Sequence, residues 1–366
     1  MFFYLLKRKT EEMNKFNVSR LEDLSVEIFY EIFEYLTPDE LYLSMAHLNT
    51  RINSILKKQP NLIISTKNHL KPALSFFDSF ISLYIDLSYT SYTAGSCLSQ
   101  FQFLNLSNIR SLRIKILYYA WWTIVSIDEL NSFINPNRCP LLESLHLSCC
   151  TKKLAEFIFT GAFRHLKVFV INDYEGKALP STTTSSLKTL RQFVMKGQNG
   201  NEFQKILSMC PNLNSLHFGL RVDDKWPSFM FSTLRYPLMK RLCIERPCDF
   251  LFNDGQFDSL LSLFPNLLDF YLAVDHCRQH EEIIDFVKVA ECLRHRLPRL
   301  KKLDWRIYLC RKYPYSLYVD QFPLIAQMHQ LFRCLRKCDS LLYITSFNFN
   351  SKYSDRRYYV RPSSQS

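Results

Sequence analysis

Glycine is scarce in this chain, with 7 glycines among 366 residues. Phosphate-binding loops and the nucleotide-binding folds built on them need glycines at fixed positions. The sequence also contains no GxSxG, HExxH, Walker or paired-carboxylate motif. Three histidines, His47, His146 and His217, are isolated from other candidate catalytic residues. We therefore predict that the chain is not an enzyme and that it needs no cofactor.

Long hydrophobic runs are missing as well. No apolar stretch approaches the ~18 residues of a membrane-spanning helix. The first six residues are apolar, but Lys7-Arg8-Lys9 follows them, whereas a signal peptide carries its charge before a longer apolar segment. We expect a cytoplasmic or nuclear protein with no membrane partner.

The twelve cysteines include no CxxC pair. Cys334 and Cys338 lie four residues apart and His276 precedes Cys277, but neither pair has a matching second pair at zinc-ligand spacing. Cysteine is common in buried cores, and a cytosolic or nuclear protein keeps its thiols reduced. The sequence predicts packing cysteines and no metal site.

Apolar and aromatic residues are abundant. The chain is 47% hydrophobic and contains 30 Phe and 20 Tyr, so it can bury a large core. The formal net charge is +12, yet residues 19–60 hold four basic residues against seven acidic ones. This asymmetry favours two modules with different partners. Alternatively, Lys and Arg scattered after residue 60 simply keep a hydrophobic protein soluble.

Residues 25–36 are apolar around most of a helical circumference, and three glutamates form one narrow polar stripe. A helix that is apolar on several sides is buried on several sides, and about 40 residues are too few to cover it alone. Thr37-Pro38 marks the start of a second helix that reaches Leu48, and a third is expected around Ile52. Part of this hairpin should therefore face a partner.

The hairpin contains three short motifs in succession: Leu24-Ser25-Val26-Glu27, Ile32-Phe33-Glu34-Tyr35-Leu36 and Asp39-Glu40-Leu41. In this order and spacing they resemble an F-box, the adaptor module of Skp–cullin–F-box ubiquitin ligases. Ser25 stands where the family has proline, and Arg51-Ile52-Asn53 occupies the region where tryptophan is common.

The resemblance implies that residues 19–60 bind a Skp-family adaptor and, through it, a cullin ligase. The adaptor-binding residues implied in this way are Leu24, Glu27, Ile28, Ile32, Phe33, Tyr35, Leu36 and Leu41. The alternative is an ordinary amphipathic hairpin that belongs to a larger fold. If the hairpin binds an adaptor, Leu24, Ile28, Ile32, Phe33, Leu36 and Leu41 should remain partly exposed in the isolated chain.

After residue 60 one pattern repeats: an apolar residue, two others, an apolar residue, one other, and an apolar residue. Nine copies recur at intervals of 23 to 33 residues between their middle apolar residues. These middle residues are Leu83, Leu112, Leu145, Phe169, Phe193, Leu216, Leu242, Phe270 and Leu303. A helical stretch is expected before each strand, for example at 128–135, 202–209, 257–263 and 283–297. One strand and one helix per repeat predict an α/β solenoid with its strands on the inside of the arc.

This region, residues 61–350, is similar to leucine-rich-repeat proteins with long, irregular repeats. The family's Asn or Cys after the strand is present only at Cys150, so we expect no polar ladder between repeats. A helix opening at Pro323 is expected to cap the solenoid, followed by a strand over 341–349. Residues 1–18 are predicted to be a flexible N-terminus and residues 351–366 a disordered basic tail. An ordinary α/β domain is the competing architecture.

An F-box followed by leucine-rich repeats is itself a known family architecture, in which the repeats bind the substrate. Side chains between the apolar positions of each strand should point to the concave face. The candidate substrate-binding residues are Tyr84, Arg113, Lys115, His146, Lys196, His217, Arg241, Tyr271, Lys302 and Arg306.

Three acidic residues, Asp86, Glu245 and Asp304, occupy further positions of this face. It therefore carries six Lys or Arg residues and three Asp or Glu residues. The balance suits an acidic or phosphorylated target protein. Three hypotheses follow: a substrate receptor of a ubiquitin ligase, a repeat scaffold that the hairpin merely caps, and a nucleic-acid binder. The last is disfavoured by the interspersed acidic residues and by the lack of a nucleic-acid-binding motif.

Overall fold

The computed structural model describes a chain of short helices and parallel strands. The residues it describes are 23–36, 38–46, 48–58, 61–65, 81–87, 98, 101–102, 104–116, 127–174, 179, 187–220, 235–245, 251, 255–276, 286–310, 339–347 and 356–360. The N-terminus predicted to be flexible and the capping helix predicted at Pro323 lie outside these residues. Within them, no helix has the length and apolar character that crossing a membrane requires.

Three helices form the predicted N-terminal hairpin: α1 (Val26–Phe33), α2 (Pro38–Met45) and α3 (Thr50–Lys57). The Asn49 side chain caps α3 by accepting a hydrogen bond from the Ile52 N–H at 2.8 Å. The Arg51 guanidinium donates to the Leu24 carbonyl at 2.7 Å and so ties α3 to the start of α1. Helix α2 ends at Met45, before Leu48, so the prediction that it reaches Leu48 is wrong.

The chain divides into two compact units, Met1–Ile158 with Ala162–Leu166 and Phe159–Gly161 with Lys167–Ser366. The division falls inside the repeat region. In the first unit, four parallel strands neighbour one another in chain order. They are β1 (Asn61–Ser65), β2 (Ser82–Asp86), β3 (Ser111–Lys115) and β4 (Ser144–Cys150). Helix α4 (Ile127–Phe133) precedes β4, and α5 (Lys152–Phe159) follows it. Strand β1 is an addition to the predicted repeats.

In the second unit, seven parallel strands also neighbour one another in chain order. They are β5 (Val168–Tyr174), β6 (Gln192–Gln198), β7 (Ser215–Leu220), β8 (Arg241–Glu245), β9 (Asp269–His276), β10 (Lys302–Cys310) and β11 (Asp339–Phe347). The helices between them are α6 (Gly200–Met209), α7 (Gln256–Ser262) and α8 (Phe286–Arg296). The α/β class predicted from the repeat is confirmed.

A last strand, β12 (Arg356–Val360), pairs antiparallel with β11. It lies inside the segment that we predicted to be a disordered tail, so that prediction is wrong for these five residues. Tyr358, Tyr359 and Val360 are residue types that favour strands, and β11 offers them a partner. We predicted disorder because the arginines and serines of residues 351–366 dominate the composition of this segment, and that composition obscured the strand preference of the three residues.

The repeat pattern and the strand register agree closely. The middle apolar residues of neighbouring repeats are paired: Leu83 with Leu112 and Leu112 with Leu145 in the first unit. In the second unit the same register continues from Phe169 through Phe193, Leu216, Leu242 and Phe270 to Leu303. All nine side chains are at most 2% exposed. Because side chains alternate along a strand, one face of each sheet forms the core and the other carries the intervening residues.

Similar turns lead into the strands. Eight of them place a backbone N–H within hydrogen-bonding reach of the carbonyl three residues earlier, as in Cys210–Leu213 and Phe264–Leu267. The side chains of Asn212 and Asn266 then donate to backbone carbonyls one repeat earlier, at Lys188 (2.9 Å) and Pro237 (3.0 Å). Polar bridges between repeats therefore exist, but they lie before the strand. The expected absence of a polar ladder concerned the position after the strand, and these bridges do not test it.

Candidate partner-binding surfaces

The hairpin carries most of the exposed apolar surface. Seven large apolar side chains are exposed in the described part of the chain, and four of them lie here: Val26, Tyr35, Leu43 and Leu48. Tyr35 is 64% exposed and Leu43 is 70% exposed. Glu27, Glu31, Glu34 and Glu40 are exposed in the same short segment. We call these eight residues the hairpin surface, an apolar surface with acidic neighbours.

The residues predicted to bind an adaptor divide into three groups. Glu27 and Tyr35 are exposed; Ile28, Ile32 and Leu36 are half-buried; Leu24, Phe33 and Leu41 are buried. The expectation of partial exposure is therefore wrong for the last three. The hairpin builds more of its own core than the sequence argument allowed, including a tilted Phe29–Phe33 ring contact with centroids 5.7 Å apart. Helix α2 also lies close to β1, which adds cover on that side.

In the first unit, the non-core face of the sheet brings together predicted residues from three strands. Tyr84, Arg113 and His146 are register partners on β2, β3 and β4. The Arg113 guanidinium lies 5.1 Å from the centre of the Tyr84 ring, a cation–π contact. Burial, followed by the Arg113 charge, lowers the pKa of His146. This histidine therefore favours its neutral form, with Nε2 3.1 Å from the Ser144 hydroxyl.

Most of the cations predicted to bind a target already face a carboxylate of the same chain. Lys115 contacts Asp86 at 3.2 Å, and Tyr84 donates a hydrogen bond to the same oxygen. The other pairs are Lys196–Glu245 at 3.3 Å, Arg241–Asp269 at 3.6 Å and Arg306–Asp304 at 3.3 Å. Arg306 also lies over the Tyr271 ring at 5.0 Å. The strongly basic face suggested by residue counts is thus largely neutralised, and Arg113 and Lys302 are the predicted cations without a carboxylate partner among the described residues.

The densest polar group in the second unit surrounds Glu245. His217 Nε2 lies 2.9 Å from Glu245 Oε1, although the ring N–H is poorly aligned for a hydrogen bond. Contact with His217 lowers the pKa of Glu245 to about 2, and Lys196 adds to the effect. Glu245 is therefore ionised throughout the neutral range. Sequence reasoning placed Glu245 and His217 on this face separately and missed their contact, because it depends on the register of β7 and β8.

Gly219 allows Lys196 to take part in this group. Lys196 lies on β6 and Glu245 on β8, so the lysine side chain must pass over β7. A Cβ atom at Gly219 would lie 3.5 Å from Lys196 Cβ and Cγ, which is an ordinary contact distance. It would lie 3.3 Å from Lys196 Cα, which is shorter than most Cβ contacts in proteins. The absence of a side chain at Gly219 leaves room for this crossing.

Comparison with known proteins does not assign the chain to a family, because no family model and no curated protein sequence matches it. Evidence for its function therefore comes from the residues and geometry described above.

Proposed function

We propose that this chain is a non-catalytic substrate adaptor of a Skp–cullin–F-box ubiquitin ligase in the cytoplasm or nucleus. In this proposal the hairpin binds a Skp-family adaptor and the repeat strands bind a target protein. The chain itself carries out no reaction, and it holds the target close to a ubiquitin-charged enzyme supplied by the complex.

The observation that carries the proposal is the concentration of exposed apolar side chains on the hairpin. Tyr35, Leu43 and Leu48 are each more than half exposed, whereas the exposed large apolar residues of the described repeats, Ile81, Leu141 and Leu238, are each less than half exposed. Clusters of exposed apolar residues with polar neighbours are typical of protein-interaction sites. The helices α1, α2 and α3 also occupy the segment whose sequence motifs carry the F-box resemblance.

For the target, support comes from the non-core face of the repeat sheets. Tyr84, Arg113 and His146 form an aromatic and basic row in the first unit, and Lys302 adds an exposed cation in the second. Such a row suits an acidic or phosphorylated segment, because a guanidinium recognises carboxylate and phosphate groups with paired hydrogen bonds.

A second candidate function is a repeat scaffold for protein–protein interaction in which the hairpin only caps the repeats. Two observations favour it: α2 lies close to β1, and Leu24, Phe33 and Leu41 are already buried within the chain. Capping elements shield the open end of a repeat array. The two functions differ in whether the exposed hairpin residues have an external partner.

Co-purification with a Skp-family adaptor tests the proposal. Tyr35→Asp combined with Leu43→Asp should reduce adaptor capture at least about 100-fold, since central apolar residues of an interface contribute ~2 kcal/mol or more each. Both side chains are exposed, so the double variant should fold normally. Charging the buried Leu24 and Phe33 would unfold the hairpin and would not separate binding from stability.

Leu238→Asp is the matched control, because Leu238 is an exposed leucine outside the hairpin, and it should capture the adaptor like the wild type. Equal capture by the double variant would show that the hairpin surface is not the binding site. If the soluble wild-type chain captures no adaptor, the ligase proposal fails and the scaffold function is supported.

A further inference from the structure

Strands β7 and β8 bring three potential metal ligands onto one face of the second unit's sheet. His217 and Cys243 are direct register partners. Glu245 follows Cys243 by two residues and so projects to the same side of the sheet. In the described part of the chain, the imidazole, thiol and carboxylate donor atoms of these three residues all lie within 4.8 Å of one another.

The separations are close to those of a metal site. Bonds of 2.0–2.3 Å to a tetrahedral zinc ion place neighbouring N, O and S ligand atoms about 3.3–3.6 Å apart. His217 Nε2 and Glu245 Oε1 are already 2.9 Å apart. Strand pairing already aligns the three residues. Small rotations about the side-chain bonds of Cys243 and Glu245 would therefore bring the thiol sulfur and a carboxylate oxygen to metal-binding distance without moving the backbone.

The surroundings of the cluster favour a cation. Glu245 is ionised, and its carboxylate holds the Lys196 ammonium, with Nζ 3.3 Å from each oxygen. The His217 and Glu245 side chains are about one-quarter exposed, so water and ions can reach them.

We propose that His217, Cys243 and Glu245 form a binding site for one divalent metal ion of the zinc type. Thiolate and imidazole ligands suit zinc and its neighbours among the transition metals, whereas calcium and magnesium prefer oxygen ligands alone. Neutral His217 would bind through Nε2 and Glu245 through one oxygen, while Cys243 would bind as a thiolate and release one proton to solvent. Three protein ligands leave a fourth position for water. The site is independent of the proposed ligase function.

Lys196 competes for the same carboxylate and gives the proposal a distinctive test. Binding of a divalent ion would displace the Lys196 ammonium from Glu245. Lys196→Met should therefore strengthen metal binding by about tenfold, as expected when one charge-assisted hydrogen bond no longer has to be broken. A merely structural ion-pair cluster would instead lose order in this variant without gaining affinity for a metal.

The experiment titrates the full-length, chelator-treated chain with Co²⁺ and follows thiolate-to-metal charge-transfer absorption, then displaces the Co²⁺ with Zn²⁺. We expect one Co²⁺ per chain. Cys243→Ser should abolish the charge-transfer band and weaken binding more than about 100-fold, since even residues that only support a ligand contribute 10–100-fold. Cys292→Ser, which changes a partly buried thiol elsewhere in the unit, is the control and should behave like the wild type.

Two results would overturn the proposal. One is a wild-type chain that binds no Co²⁺ with a thiolate band. The other is binding that survives Cys243→Ser, which would place the metal at another site, or that weakens in Lys196→Met, which would contradict competition between Lys196 and the metal for Glu245. Circular dichroism of each variant establishes that the fold is intact, and adaptor capture by the same samples reports on the proposed function separately.

Discussion

Replacement of Phe193 by alanine is expected to lower the free energy of unfolding by about 4 kcal/mol. Phe193 is fully buried near the start of β6. Its ring stacks on Phe169 at 5.5 Å and meets the edge of Phe159 at 5.9 Å. Alanine would leave a cavity lined by these rings, and large-to-small substitutions of buried phenylalanine cost ~3–5 kcal/mol. Urea denaturation followed by circular dichroism measures the change.

Two controls separate the cavity from other effects of mutating this strand. Phe193→Leu keeps much of the volume and should cost about 1–2 kcal/mol. Gln192→Ala alters the neighbouring exposed side chain and should change stability by less than about 0.5 kcal/mol. A Phe193→Ala variant that is destabilised by less than ~1 kcal/mol would contradict the role assigned to the Phe159–Phe169–Phe193 cluster.

Replacement of Arg138 by alanine is expected to destabilise the first unit by about 2–3 kcal/mol. The Arg138 guanidinium donates to the carbonyls of Phe101 (3.3 Å), Gln102 and Leu104 (3.1 Å), and it lies 4.9 Å from the centre of the Phe133 ring. Hydrogen bonds from a charged donor contribute ~1.5–3 kcal/mol when their partners are shielded from water. Removal of the Arg138 side chain would leave the carbonyls of Phe101, Gln102 and Leu104 without this hydrogen-bond donor at the same time.

Hydrogen exchange measured by mass spectrometry locates the effect of this substitution. Protection should fall first in the backbone between Phe101 and Leu106, while the strands of the second unit keep theirs. Arg138→Lys retains the charge but supplies one compact donor in place of a planar fork, so an intermediate loss is expected. Unchanged protection at Phe101–Leu106 in the alanine variant would show that Arg138 does not hold this segment.

The repeat could be predicted from the sequence because strand position and burial follow the same local pattern. Each apolar triplet, such as Leu213, Leu216 and Phe218, predicts both the position of a strand and which of its side chains are buried. The period of two along a strand fixes which residues share a face. Strand β1 was missed, because its short apolar segment lies beside stronger signals.

The candidate sites were less readable, because they depend on which residues become neighbours across strands. Sequence reasoning counted Lys115, Lys196, Arg241 and Arg306 as available cations. Strand pairing sets a carboxylate within reach of the first three, and Arg306 pairs with Asp304 on its own strand. Sequence reasoning likewise dismissed a metal site, since zinc-ligand spacing was sought along the chain. The proposed ligands come from two strands, with His217 and Cys243 separated by 26 positions.

By itself the sequence determined the α/β class, the nine repeat strands, their core residues and the three-helix hairpin, since all of these follow from local apolar periodicity. Only the tertiary structure decided which hairpin residues stay exposed: it buries Leu24, Phe33 and Leu41 and leaves Tyr35 and Leu43 in contact with solvent. Exposure and ion pairing depend on contacts between elements that are distant in sequence, and a local pattern carries no information about those contacts.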